Sequence, residues 1–369
     1  MSRWQHYIMH RGPECLRFWR RHLSDDSRRV LLILGLGFDP RMCCGLRMLS
    51  SVRTGCVQEC SLLKYSEGPH SPSQKYAALV KDNLQEVTSL MAGHGCITEG
   101  NLGLLAAAAA QSRPRRASDV ISQELTHRFT DIVVDISALP RSIYFPILAK
   151  LLTLLDVMEA RTPVVNLHVL VAEDVSVDER IREEGVDERA AYIQGFSADL
   201  ELQSAATVPR VWIPALGEGQ EEQLRRIYDH VHPDEICPVL PSPSVNPRRA
   251  DDLIAEYREL LFDLFRVEPT NFIYACEWNP FEVYRQVYGA TTRYNSALEA
   301  LGRCKVVVSA LSSKLLSVGA LLAAYEAKRK NYMIGIAHVG TQGYTVDLPV
   351  DASKAELFSL WVAGECYNA

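Results

Sequence analysis

Four stretches of the chain place serines, carboxylates, a lysine or an arginine directly after an apolar run. They are Gly35-Leu36-Gly37-Phe38-Asp39-Pro40-Arg41, Asp135-Ile136-Ser137-Ala138-Leu139-Pro140-Arg141, Cys276-Glu277-Trp278-Asn279-Pro280 and Ser309-Ala310-Leu311-Ser312-Ser313-Lys314. Each reads as a turn from a strand into a helix. In an open parallel sheet, ligands bind just outside the carboxyl ends of the strands. The four turns therefore point to one ligand-binding sheet edge. Their residue types fit a phosphate-bearing, nucleotide-like small molecule.

The last of these turns is the most specific. Ser309, Ser312, Ser313, Lys314 and Ser317 gather hydroxyls and an ammonium where a helix begins. That combination makes an anion cradle. It is not a Walker A loop, because Gly-x-x-x-x-Gly-Lys is absent. The competing reading is serine capping beside a solvated lysine.

In the first turn, Gly35 and Gly37 can bring the backbone close to a ligand, and Asp39 and Arg41 follow. Arg41 can meet a phosphate. The third glycine of a dinucleotide fingerprint is missing, and no acidic residue ends a second strand to hold a ribose, which argues against NAD. The alternative is a tight strand-to-helix turn.

Asp135 can bind a metal, act as a base or accept a ribose hydroxyl, while Ser137 or Ser142 can cap a helix. Equally, Asp135 can pair with Arg41 or Arg141. Trp278 can stack on a base, and Asn279 can read its edge or cap the helix that Pro280 opens. Glu277 is the second acid/base candidate.

The elements that must hold these turns are legible as alternating runs. Strands are expected at 30–34, 60–65, 131–136, 164–171, 209–216, 236–240, 271–276, 305–309 and 333–337. Their apolar runs suit strands buried on both faces. Helices are expected at 12–23, 42–51, 74–91, 102–111, 118–128, 142–159, 220–231, 248–265, 280–301, 313–328 and 354–363. Strand–helix alternation implies right-handed crossovers, so the expected fold is α/β, Rossmann-like, a mainly parallel sheet with helices on both faces. The expected organisation is an N-terminal helical extension at 1–29, a first portion with insertions at 30–240 and a C-terminal portion at 248–369. The Pro/Ser loop 241–247 marks the boundary, and one continuous sheet across it is as compatible with the pattern.

The 369 residues are 47% hydrophobic and 23% charged, an ordinary globular balance. A net charge of −6 supplies no overall basic field, which argues against nucleic acid as partner. The basic triplet Arg113, Arg115 and Arg116 reads as solvated. No apolar run is long enough to span a membrane, and residues 1–29 lack the features of a secretory signal. Ten cysteines form no Cys-x-x-Cys pair, and Cys56 and Cys60 have no second pair or nearby histidine, which argues against structural zinc. His230 and His232, with Asp229, Asp234 and Glu235, could ligate a metal, but their i, i+2 spacing at a helix end reads as solvated loop residues, so no metal site is expected. Reduced thiols and a cytoplasmic location are the expectation.

The stretch Ser312-Ser313-Lys314-Leu315-Leu316-Ser317-Val318-Gly319-Ala320, with Leu34-Gly35-Leu36-Gly37, resembles the ligand turns of CARF domains. The chain has serines at 312 and 313 where those turns favour glycine. The resemblance implies a Rossmann-like sensor of cyclic or oligo-nucleotides in prokaryotic antiviral defence. More broadly the chain is similar to bacterial Rossmann-like proteins of the defence-associated type. The leading expectation is thus a nucleotide-binding sensor or subunit of a defence or regulatory complex, with a protein partner or a second copy. The alternatives are an enzyme that hydrolyses or transfers a glycosyl or phosphoryl group using Asp135 and Glu277, and an interaction scaffold. In the last case Trp4, Phe18 and Trp19 would form a docking element.

Overall fold

The computed structural model describes residues 2–65, 72–102, 117–158, 164–178, 180–196 and 208–367. The triplet Arg113, Arg115 and Arg116 lies outside these residues. So does the Ala-rich stretch expected as helix, apart from Leu102, which ends a strand.

The chain divides into two compact units, Tyr7–Gly185 with Thr341–Ala369 and Met1–His6 with Val186–Gly340. The break therefore does not fall at the Pro/Ser loop 241–247. Strand Val239–Pro241 before that loop and helix Arg249–Glu256 after it belong to one unit. Parallel pairing of Val239–Pro241 with Ile273–Ala275 carries the sheet across the loop.

In the first unit a seven-stranded sheet runs Ile8–Arg11, Glu356–Ala363, Asn166–Glu173, Asp131–Asp135, Val30–Leu36, Val57–Tyr65 and Cys96–Leu102. The last five are mutually parallel. From Val30–Leu36 the chain builds outward through Val57–Tyr65 to Cys96–Leu102. It then crosses back to add Asp131–Asp135 and Asn166–Glu173 on the other side. This is the 3-2-1-4-5 order of doubly wound folds, with its switch point between Val30–Leu36 and Asp131–Asp135. All residues of both central strands are buried. Burial of each such Val, Leu or Ile side chain is worth about 1.5–3 kcal/mol.

The expected helix at 354–363 is instead the strand Glu356–Ala363, antiparallel to Asn166–Glu173. Its Leu357-Phe358-Ser359-Leu360-Trp361-Val362 run is too short for periodicity to separate strand from helix. Aromatic and β-branched residues with two strand neighbours favour the extended form. On its other side Ile8–Arg11 pairs antiparallel. Residues 1–29 are therefore no separate extension: a sheet strand precedes helix Pro13–His22. Trp19 and Trp4 are fully buried, so neither is a surface docking element.

The second unit repeats the order. Its sheet runs Ile273–Ala275, Val239–Pro241, Arg210–Ala215, Lys305–Ala310, Ile334–His338 and Ala191–Tyr192, with Glu235–Ile236 also pairing Arg210–Ala215. Only Ala191–Tyr192 pairs antiparallel. The switch point lies between Arg210–Ala215 and Lys305–Ala310. Helix Lys314–Arg329 packs on helix Pro280–Ala297 through Gly319, where a β-carbon would stand 2.2 Å from the Pro280 carbonyl oxygen.

The molecule is thus α/β with mainly parallel, Rossmann-like sheets, as the alternation implies, but with two such sheets rather than one. The four polar turns divide two and two between them. Among the described residues, no helix is long and apolar enough to cross a membrane.

Candidate functional site

At the first switch point the polar side chains are held by their neighbours. Asp39 caps the 3-10 turn Pro40–Cys43 by accepting from the Arg41 N–H at 2.9 Å. The buried Arg41 guanidinium donates to both Asp39 oxygens at 2.8–3.1 Å and to Asp178 at 2.7 Å. Burial alone would lower the Arg41 pKa, but the two carboxylates raise it, so the charge is locked in. Asn83 donates to the carbonyls of Gly37 at 2.8 Å and Asp39 at 3.3 Å and pins the same turn.

The glycines of this turn admit protein rather than ligand. A β-carbon on Gly35 would meet the Leu139 side chain at 2.3 Å, and one on Gly37 the Tyr65 hydroxyl at 2.9 Å. Tyr65 passes Gly37 to donate to the Ala138 carbonyl at 2.8 Å. Asp135 is buried and accepts from the Ser137 N–H at 2.9 Å. Ser137 Oγ in turn accepts from the Ala172 N–H at 2.9 Å, which ties two strand ends together. Arg141 lies 3.7 Å from Glu183.

At the second switch point Ser313 is the N-cap of the sixteen-residue helix Lys314–Arg329 and accepts from the Leu316 N–H at 3.3 Å. Ser317 donates to the Ser313 carbonyl at 2.7 Å, and buried Ser309 accepts from the Trp212 indole at 3.0 Å. These three serines shape the turn. Ser312 is buried and Lys314 half-buried beside them. The loop after Arg210–Ala215 crosses this turn closely. A β-carbon on Gly217 would stand 2.3 Å from the Leu311 carbonyl oxygen and 2.9 Å from the Ser312 Cα. Tyr257 fixes the loop by donating to the Gly217 carbonyl at 2.5 Å and accepting from the Gln220 N–H at 2.9 Å.

Glu277 belongs to an ion-pair chain at the same edge. Arg249 donates to Glu218 at 2.7 and 2.8 Å and also to Glu277, whose other oxygen accepts from the Val245 N–H at 2.8 Å. Burial pushes the Glu218 pKa up, but Arg249 outweighs it and holds the carboxyl below its ordinary value. Asn279 caps helix Pro280–Ala297, accepting from the Phe281 N–H at 3.1 Å, and Trp278 beside it is half-buried.

So the structure gathers Gly35, Gly37, Asp39, Arg41, Asp135, Ser137 and Arg141 at the edge of one sheet. It gathers Glu277, Trp278, Asn279, Ser309, Ser312, Ser313, Lys314 and Ser317 at the edge of another. The sequence reading missed Gly217, Glu218, Arg249 and Tyr257. Each is unremarkable in isolation, and only strand order brings them to the switch point. It also missed a group of three ligand-type residues, His22, Asp131 and His168, whose spacing carries no signal.

No protein-family description matches the chain, and no curated protein does. Among solved structures, a deacetylase triple mutant from the teicoplanin biosynthetic pathway is 13% identical over 45% of this chain and 75% of its own, with a TM-score of 0.25. A universal stress protein from Archaeoglobus fulgidus is 10% identical over 83% of this chain and 94% of its own, at TM-score 0.22. A functionally unknown protein from Pseudomonas aeruginosa PAO1 is 10% identical over 84% and 92%, at TM-score 0.22. Similarity at this level assigns no activity.

Proposed function

We propose that the second unit binds a phosphate-bearing, nucleotide-like ligand at its switch point, and that the protein is a sensor or subunit of a bacterial defence or regulatory complex. The observation that carries the reading is the crossing of the Gly217 loop against Leu311 and Ser312. It brings two loops of the 3-2-1-4-5 sheet to the first turn of the helix that Lys314 opens. The positive end of that helix and the Lys314 ammonium both favour an anion. Trp278 offers a base a stacking face. In this reading Arg41 positions the first unit's turn rather than contacting phosphate, and Glu277 holds Arg249.

The test is native mass spectrometry of gently purified protein, followed by denaturation and identification of what is released. A co-purified or added nucleotide is expected on the wild type and absent from Lys314→Ala. Equal nucleotide occupancy in both proteins sinks the proposal. Loss of turnover in Glu277→Gln with binding retained would replace it by the enzyme reading.

A further inference from the structure

We propose that His22, Asp131 and His168 form a binding site for a divalent transition metal of the zinc class within the first unit. One ligand atom from each lies within 4.8 Å of the others. His22 ends helix Pro13–His22, Asp131 opens strand Asp131–Asp135, and His168 lies on the neighbouring strand Asn166–Glu173. His22 Nε2 is 2.6 Å from Asp131 Oδ1, and His168 Nε2 faces the same oxygen at 3.4 Å.

The second observation is the state of His168. Its ring is completely buried, Nδ1 makes no hydrogen bond among the described residues, and Nε2 meets only Asp131 Oδ1, at a long 3.4 Å and outside good hydrogen-bond geometry. Native interiors seldom keep a buried polar group so poorly satisfied without an ion or a water to complete it. Here the ring is aimed at a carboxylate and a second imidazole, both of them metal ligands.

The surroundings are those of an oriented ligand set. Asn166 donates to Oδ1 at 3.1 Å and Thr130 to Oδ2 at 2.6 Å, so the carboxylate is fixed from outside, as ligating carboxylates usually are. Arg28 stands 3.8 Å from Oδ2, and Glu365 engages it at 2.9 Å and offsets its charge. Trp19 packs 4.7 Å from the His168 ring, and Trp361 packs 5.0 and 5.1 Å from His168 and His22. Two imidazoles and one carboxylate favour zinc, cobalt, nickel or copper over magnesium and calcium.

Ligands of a tetrahedral ion with bonds of about 2.0–2.1 Å stand roughly 3.3 Å apart. The present 2.6 Å between His22 and Asp131 is a hydrogen bond. Binding therefore moves the His22 ring outward, and the ring ligates as the neutral tautomer, with its proton on Nδ1 and the Nε2 lone pair on the metal. His22, at a helix end, is the ligand best able to make that shift. The site lies at the amino end of strand Asp131–Asp135, away from the turn that begins at Ser137. It would therefore fasten helix and sheet without touching the ligand edge.

The experiment is cobalt titration of the full, chelator-treated protein, read by visible absorption. The wild type should take up one equivalent, show ligand-field bands of a nitrogen and oxygen site, and lose them to added zinc. His22→Ala should lose the bands while keeping its circular dichroism. His22→Cys should regain them with a new sulfur-to-cobalt charge-transfer band, which a purely structural histidine would not produce. Absence of bands from the wild type overturns the proposal. So does their persistence in His22→Ala, which would move the metal elsewhere.

Discussion

Gly45 lies directly against the carboxylate of Asp135: a β-carbon at position 45 would come within 2.2 Å of Oδ2 and 2.9 Å of the Leu170 side chain. The helix Cys44–Ser50 can approach the end of the central strand only because that side chain is missing. Gly45→Ala should therefore destabilise the protein by about 1–3 kcal/mol, the usual cost of overpacking a filled interior. Urea unfolding reads this as a lower midpoint at unchanged slope. An unchanged midpoint would show that the contact is slack.

Arg41 makes a different prediction, because it is a buried charge with a buried partner. Removing it leaves Asp39 uncompensated, and breaking a buried pair costs about 3–5 kcal/mol. Arg41→Ala should show most of that loss in denaturant melts. Asp39→Ala in the same chain should recover part of it, because the stranded carboxylate goes too. Asp178 is half exposed, so Asp178→Ala should cost far less.

The strands and the site were legible to different degrees, for physical reasons. Runs such as Val30–Leu36 and Asp131–Asp135 are apolar because both sheet faces are covered, and that pattern is local. Glu356–Ala363 has the same composition over eight residues, too few for period to decide, and its strand form depends on partners far away in the chain. Serine capping was readable at Ser313 and asparagine capping at Asn279, because a cap acts on the next three residues. Arg249 with Glu218 and Glu277, or Tyr257 over Gly217, arise only once strand order is fixed. So does the division of four turns between two sheets.

The Arg249 chain implies a pH dependence. Arg249 holds the Glu218 carboxyl below its ordinary value, which is about 4.3 in an unfolded chain. A depressed carboxyl contributes stability that is fully present above that unfolded value and is lost as pH falls through the folded one. The midpoint difference between wild type and Glu218→Gln should thus be constant from about pH 6 to 5 and shrink below about pH 4.3. A difference that grows on acidification would contradict the pairing. Half of Glu218 is exposed, so the effect should be small and weaker in salt.

The cysteines should sort by burial. Burial pushes the thiols of Cys15, Cys43 and Cys60 up to about 12 and that of Cys304 to about 11, whereas Cys96 is exposed. The thiolate is the reactive form. Alkylation of native protein at pH 8, mapped by peptide mass spectrometry, should label Cys96 first. It should leave Cys15, Cys43, Cys60 and Cys304 unlabelled until denaturant is added. Early labelling of Cys60 would mean that the central sheet of the first unit opens under native conditions.

Lys314 and Gly217 separate binding from architecture at the proposed ligand edge. Lys314 opens its helix and is half-buried, and alanine is a better helix former than lysine. Lys314→Ala should therefore lose less stability than Gly217→Ala while nucleotide binding weakens at least tenfold. Gly217→Ala acts on backbone instead, because its β-carbon meets the Leu311 carbonyl at 2.3 Å and neither side can rotate away. It should lose stability and binding together, as the crossing loop moves off the Ser312–Ser313 turn. Binding is checked by calorimetry with a nucleotide identified from the native protein, and stability by melts of the same samples. If Gly217→Ala destabilises yet binds as well as wild type, the loop crossing does not shape the site. The anion would then be held by the Lys314 helix alone.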